Sequence, residues 1–124
     1  TKGVFSTNPG YAGFRCPMKE EGGGWVPDFN NRYFTEDIPE SFAIYKGIAE
    51  LAGYSTPMID RCFLWAQAHM GKEYVTGTPG NCKLNGKDAM STKAPQAFGF
   101  ATLKEFLGIT PPSAAKLGIN GFGR

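Results

Sequence analysis

A chain of 124 residues with a formal net charge of +2 is long enough for one domain, able to bury about two-thirds of the surface its unfolded form exposes. It has no run of Lys and Arg, so nucleic acid is excluded as the main partner, and its apolar runs fall far short of the ~20 residues that a transmembrane segment needs. The hydrophobic fraction is 41% and the aromatic fraction 14%, with ten Phe, so either the core is rich in rings or some rings face a partner.

The first 31 residues form a Gly/aromatic-rich approach segment in which the glycines and prolines argue against regular structure. Gly22-Gly23-Gly24 followed by Trp25 reads as a surface loop whose tryptophan pins it to the body. In the stretch Asn31 to Pro39, Asp37 fits a helix N-cap with Glu40 as its reciprocal partner and Pro39 in the first turn. Arg32, on the incoming loop, has the chemistry to grip a carboxylate with two parallel bonds. The structural alternative pairs Arg32 with Asp37 or Glu36.

A helix is predicted over 37–52, where Ile38, Phe42, Tyr45, Ile48 or Ala49 and Ala52 recur at three- and four-residue steps, and Gly53 ends it. Gly47 costs about 1 kcal/mol inside that helix relative to alanine, which points to a close crossing. A second helix is predicted over 57–70, capped by Thr56, opened by Pro57 and stopped by Gly71. Its apolar set, Met58, Ile59, Cys62, Phe63, Trp65, Ala66 and Met70, reads as a wide buried stripe. The short link implies an antiparallel hairpin of the two helices.

Beyond Gly71, Glu73-Tyr74-Val75 reads as briefly extended and is followed by a long polar loop. Thr102-Leu103-Lys104-Glu105 has the capping-box form and opens a short third helix ended by Gly108. Residues 109–124 read as linker and tail. The expected fold is thus all-α, a partial helical domain over 32–108 with long Gly/Pro-rich loops.

Three widely spaced cysteines, Cys16, Cys62 and Cys82, do not suggest a disulfide framework. They read as reduced thiols in an intracellular compartment, with Cys62 in the core. With His69 they show no zinc-ligand spacing, so no metal site is expected. A lone helical histidine such as His69 reads as a packed or boundary residue. The chain starts at Thr1, not Met, and has no signal-peptide pattern, so the expectation is a processed chain or a piece of something longer.

Arg32-Tyr33-Phe34-Thr35-Glu36-Asp37-Ile38-Pro39 resembles the signature of the carboxy-terminal helical domain of the octopine and nopaline (opine) dehydrogenases. Asn8-Pro9-Gly10-Tyr11-Ala12-Gly13-Phe14, Trp25-Val26-Pro27-Asp28-Phe29, Gly47-Ile48-Ala49-Glu50-Leu51-Ala52-Gly53, Thr56-Pro57-Met58-Ile59-Asp60, Met70-Gly71-Lys72-Glu73-Tyr74 and Ala94-Pro95-Gln96-Ala97-Phe98-Gly99 extend the likeness in order over most of 8–107. The tail, Lys116 to Arg124, resembles the opening strand and glycine turn of glyceraldehyde-3-phosphate dehydrogenase. That second likeness makes a plastid origin conceivable.

The family condenses an amino acid with a 2-oxo acid and reduces the imine with a nicotinamide cofactor. The resemblance implies that Arg32 binds a substrate carboxylate and that Asp37 faces the cationic end of the amino acid. It does not extend to the family's general acid/base histidine, whose place His69 does not match, nor to a dinucleotide-binding domain. After Pro39 the family usually has an aromatic residue and Gly-Leu, where this chain has Glu40-Ser41-Phe42. No catalytic residue is therefore assigned, and NAD(P) is expected only if another domain completes the site. Two functions follow. One is a non-catalytic derivative serving as a structural subunit among protein partners in a larger assembly. The other is the substrate-binding half of an opine-type oxidoreductase, completed by another chain or cut from a longer one.

Overall fold

A computed structural model describes residues 2–11, 13 and 15–111. In chain order its regular elements are α1 (Lys2–Thr7), β1 (Met18–Glu21), β2 (Gly24–Pro27), α2 (Arg32–Thr35), α3 (Ala43–Leu51), α4 (Pro57–Met70) and α5 (Leu103–Phe106). The tail's likeness to a glycine turn lies outside the described residues.

β1 and β2 pair antiparallel, with Lys19 opposite Val26 and Glu20 opposite Trp25. Gly22 and Gly23 form the two-residue turn, with φ of +63° and +79°. Two successive positive φ values match the twist of a hairpin, and glycine adopts them without steric cost. The fold is therefore mostly helical with a small two-stranded sheet. This corrects the strictly all-α expectation and the expectation of irregular structure over 1–31. Trp25 is 70% exposed, so it does not pin the hairpin to the body.

The predicted helix over 37–52 is divided. Asn31, not Asp37, is the side-chain cap: its Oδ1 accepts from the Tyr33 amide at 3.2 Å and opens α2. Asp37 makes no cap hydrogen bond. Pro39 has no N–H to donate and its ring crowds the carbonyl four residues back, so a regular ladder cannot run through it. The chain instead widens into a π-turn over Ile38–Phe42, in which the Phe42 amide reaches back five residues to the Asp37 carbonyl at 3.0 Å. α3 begins only after this turn.

α4 follows its expected bounds. Pro57 fills the first turn, where its missing N–H costs nothing, and Gly71 closes the helix with φ of +64°. Thr56 gives no side-chain cap; its hydroxyl bonds Asp60 and Lys46 instead. Phe63 and Ala66 are buried, with Ile59, Leu64 and Met70 partly so. Cys62, Met58 and Trp65 are exposed, so the buried stripe is narrower than expected. α4 approaches the π-turn, and its Asp60 meets Lys46 of α3 across the short link.

The core consists of Ile38, Ala43, Phe63, Ala66, Tyr74, Val75, Cys82, Leu84 and Ala94. Five of these nine lie in 74–94, a stretch whose pairing is limited to the isolated bridge between Thr76 and Lys83. Its buried amides need partners, and polar side chains of the helices supply them. Gln67 of α4 accepts from the Tyr74 and Val75 amides at 2.9 and 3.0 Å and donates to the Val75 carbonyl at 2.9 Å. The second clamp is Asp60, two turns earlier on the same helix. α5 carries the full capping box between Thr102 and Glu105, as its sequence predicts.

Candidate functional site

The sequence singles out Arg32 and Asp37, and the structure places both at the surface, Arg32 at the start of α2 and Asp37 in the two-residue link between α2 and the π-turn. Arg32 Nη2 lies 3.2 Å from a carboxylate oxygen of Glu36, one helical turn on, with both side chains more than half exposed. Of the pairings open from sequence, this is the one that forms. The Asp37 carboxylate is exposed and spends nothing on capping the helix behind it.

A set of rings holds this segment in place. Phe29, just before α2, stacks on His69 with ring centres 4.5 Å apart and planes 8° from parallel. Phe34, on α2, lies 4.8 Å from Phe29 and 6.0 Å from Trp65. Trp65 and His69, four apart on α4, meet edge to face at 5.1 Å. Such pairs add roughly 0.5–1.5 kcal/mol each beyond the area they bury. His69 is thus a boundary residue that packs on the approach to α2, whose first residue is Arg32, on the helix and not on the incoming loop. Sequence reasoning missed this grouping, although the i, i+4 spacing of Trp65 and His69 on one helix was a visible signal.

A second polar cluster lies in the interior. Lys46 of α3 and Asp60 of α4 form an ion pair at 2.7 Å with side chains 4% and 0% exposed. Asp60 also accepts from the Gly80 and Cys82 amides at 2.8 and 3.2 Å and from Thr56 Oγ1 at 3.1 Å. Burial alone would raise the Asp60 carboxyl. The hydrogen bond from Lys46, the two backbone amides and the Lys46 charge outweigh it, and the group titrates below its ordinary value. The Cys82 thiol is pushed up, first by burial and then by the nearby Asp60 charge. A cavity of about 240 Å³ beside the pair is lined by Glu50, Tyr54, Ser55, Asn81 and Lys83 among others. Its charges are matched internally: Glu50 accepts from the Leu84 amide, and Lys46 is committed to Asp60 and Thr56. This cluster ties the 74–94 stretch to the helices and offers no reactive group.

Among the described residues no group of three His, Cys, Asp or Glu side chains stands ready to hold a metal. The glycine pair Gly22-Gly23 does not form a dinucleotide cradle. A pyrophosphate cradle needs a glycine turn leading from a strand into a helix N-terminus, whereas Gly22 and Gly23 join two strands of a hairpin.

The fold is that of a dehydrogenase helical domain. Residues 1–70 match the family model for the α-helical domain of NAD/NADP octopine/nopaline dehydrogenase. Tauropine dehydrogenase of Arabella iricolor is 50% identical over 103 residues, which is 82% of this chain and 25% of that protein. Octopine dehydrogenase of Pecten maximus is 44% identical over 104 residues, 84% of this chain and 25% of that protein. Among solved structures, octopine dehydrogenase with NADH and pyruvate superposes with a TM-score of 0.72 at 44% identity, covering 85% of this chain and 26% of that one. The same enzyme with NADH and agmatine gives 0.73 at 43%, covering 85% and 25%. The chain belongs to the octopine/nopaline dehydrogenase family and spans 25% of the length of these relatives.

Proposed function

We propose that this chain is the substrate-facing helical part of an NAD(P)-linked opine dehydrogenase, which joins an amino compound to a 2-oxo acid by reductive condensation. The observation that carries the reading is the exposed Arg32 guanidinium on a segment held rigidly by Phe29, Phe34, Trp65 and His69. The relatives named above are dehydrogenases, which favours this reading over that of a non-catalytic structural subunit.

Arg32 holds the substrate carboxylate through two charge-assisted hydrogen bonds. Asp37, with its carboxylate uncommitted to a cap, faces the cationic end of the amino compound and orients it, so that its amino group, as the free amine, attacks the oxo-acid carbonyl and water leaves as the imine forms. The nicotinamide, carried by a separate dinucleotide-binding domain, supplies the hydride that reduces the resulting imine.

The test uses the complete polypeptide with its dinucleotide-binding domain. NADH oxidation is followed with pyruvate and a panel of amino compounds that includes arginine. Turnover with at least one pair is expected. Replacing Arg32→Gln raises KM for the oxo acid at least about tenfold, since a charged hydrogen-bond partner is worth roughly 1.5–3 kcal/mol. Absence of turnover with every pair would defeat the proposal.

A further inference from the structure

We infer that one face of the β1–β2 hairpin is a docking surface for the dinucleotide-binding domain of the complete dehydrogenase, with Trp25 as its anchor. The inference rests on the functional reading above and adds the surface on which the nicotinamide-carrying domain seats. Opposed residues of an antiparallel pair share a face, and successive residues alternate. The register therefore puts Met18, Glu20, Trp25 and Pro27 on one face and Lys19, Glu21, Gly24 and Val26 on the other. Lys19 and Glu21 form an ion pair at 2.8 Å along the second face, which suits water. The first face carries Trp25, 70% exposed, and Met18, 39% exposed. With Arg15, Cys16 and Pro17 they line an open groove of about 520 Å³. Trp, Met and Arg are enriched at the centres of protein interfaces, whereas Lys and Glu are depleted there. Glu20, opposite Trp25, is the exception on the first face and fits a polar rim.

The hairpin needs a cover. None of the four residues in either strand is buried, and two strands alone are marginal in water without a third strand or a helix packed on them. The chain spans 25% of the length of its relatives, so most of a complete polypeptide lies outside it. The foot of the hairpin indicates which part provides the cover. The Asp28 amide bonds the Pro17 carbonyl at 3.0 Å, and the Asn31 amide bonds the Asp28 carbonyl at 3.1 Å. β2 thus runs directly into the segment that carries Arg32, and Phe29 joins the rings that fix that segment. A hydride passes only at van der Waals contact, so the domain holding the nicotinamide must stand against Arg32 and Asp37. The hairpin leaves the fold from the same foot, and its apolar face meets that domain. The matching surface offers an apolar side chain to the groove and a carboxylate to the exposed Arg15.

In the complete dehydrogenase, Trp25→p-benzoylphenylalanine places a photoreactive ring on the first face, and Lys19→p-benzoylphenylalanine places one on the second. Both positions are exposed in this chain, so neither replacement opens a core. After irradiation, peptide mapping is expected to find position 25 joined to the dinucleotide-binding domain of the same polypeptide, and position 19 not joined to it. A product with the mass of two chains would make the face a contact between copies. Links confined to the helical domain, or none at all, would leave the face without this partner. Each of these results overturns the inference, as does an equal yield from position 19. The functional reading fails separately: absence of turnover with every substrate pair defeats it, whereas the cross-link reports contact alone.

Discussion

The Asp60 carboxylate is shared between Lys46, 2.7 Å away, and the backbone of a loop twenty residues further on. One oxygen faces the ammonium and the Thr56 hydroxyl; the other takes the Gly80 and Cys82 amides. The two partners are therefore not equivalent. Removing Lys46 leaves a carboxylate that still holds three hydrogen bonds. Removing Asp60 leaves a buried ammonium with the Thr56 hydroxyl alone and also orphans two amides. Asp60→Ala is expected to cost about 3–5 kcal/mol, the range for breaking a buried pair, and Lys46→Met distinctly less. Urea unfolding followed by circular dichroism ranks them. Equal midpoints for the two variants would refute the asymmetry.

The same site sets a pH dependence. The folded-state pKa of Asp60 is depressed, so the unfolded chain takes up this proton more readily than the folded one. The contribution is complete above the ordinary aspartate value of about 3.9 and is lost as the pH falls through the lower folded value. Thermal midpoints measured from pH 6 downwards should drop steeply below about pH 4, and Asp60→Asn should flatten that limb. A variant whose acid limb ran parallel to the wild type would place the relevant carboxylate elsewhere.

Cysteine chemistry gives a third check. Cys16 and Cys62 are exposed, whereas Cys82 is 2% exposed with its thiol pushed towards the neutral form by burial and by the Asp60 charge. The thiolate is the nucleophile, so burial and a raised pKa act together against Cys82. Maleimide should label two thiols quickly at neutral pH and the third only on unfolding. Peptide mapping that found Cys82 modified in the folded protein as fast as Cys62 would count against the packing of the 74–94 stretch.

Local signals are legible in the sequence where one turn of chain decides the outcome. Pro57 and Gly71 bound α4, and Thr102 with Glu105 opens α5. Two local signals were outcompeted by near-equals. Asn31 caps the separate short helix α2, and Asp37 caps nothing, because the chain enters a π-turn at Ile38 with Pro39 in its first turn. The glycine triplet hid a hairpin, since Gly22 and Gly23 serve a two-residue turn as readily as a loose loop. The 74–94 half of the core was not legible, because its order comes from single long-range clamps, Gln67 and Asp60, that leave no period in the sequence. The Arg32/Asp37 segment stood out by its motif, but its aromatic support joins Phe29 to His69 across forty residues and showed only after folding.

Gly47 reports on the packing of that second half. Inside α3 an alanine would normally gain about 1 kcal/mol over glycine. Here a Cβ would lie 2.5 Å from Gln96 Oε1, 2.7 Å from Pro95 Cδ and 3.1 Å from Ala94 Cβ. Gln96 also donates from Nε2 to the Gly47 carbonyl at 3.0 Å, while its Oε1 is buried with no hydrogen-bond partner. The Gln96 end can swing aside, but the proline ring is held by its own backbone. Gly47→Ala is therefore expected to destabilise by about 1–3 kcal/mol despite its better helix propensity. Combining it with Gln96→Ala should recover only part of that loss, since the Pro95 contact persists and the bond to the Gly47 carbonyl is gone. A double-mutant cycle in urea tests this. If Gly47→Ala alone proved neutral or stabilising, the close approach of the Pro95–Phe98 turn to α3 would be wrong.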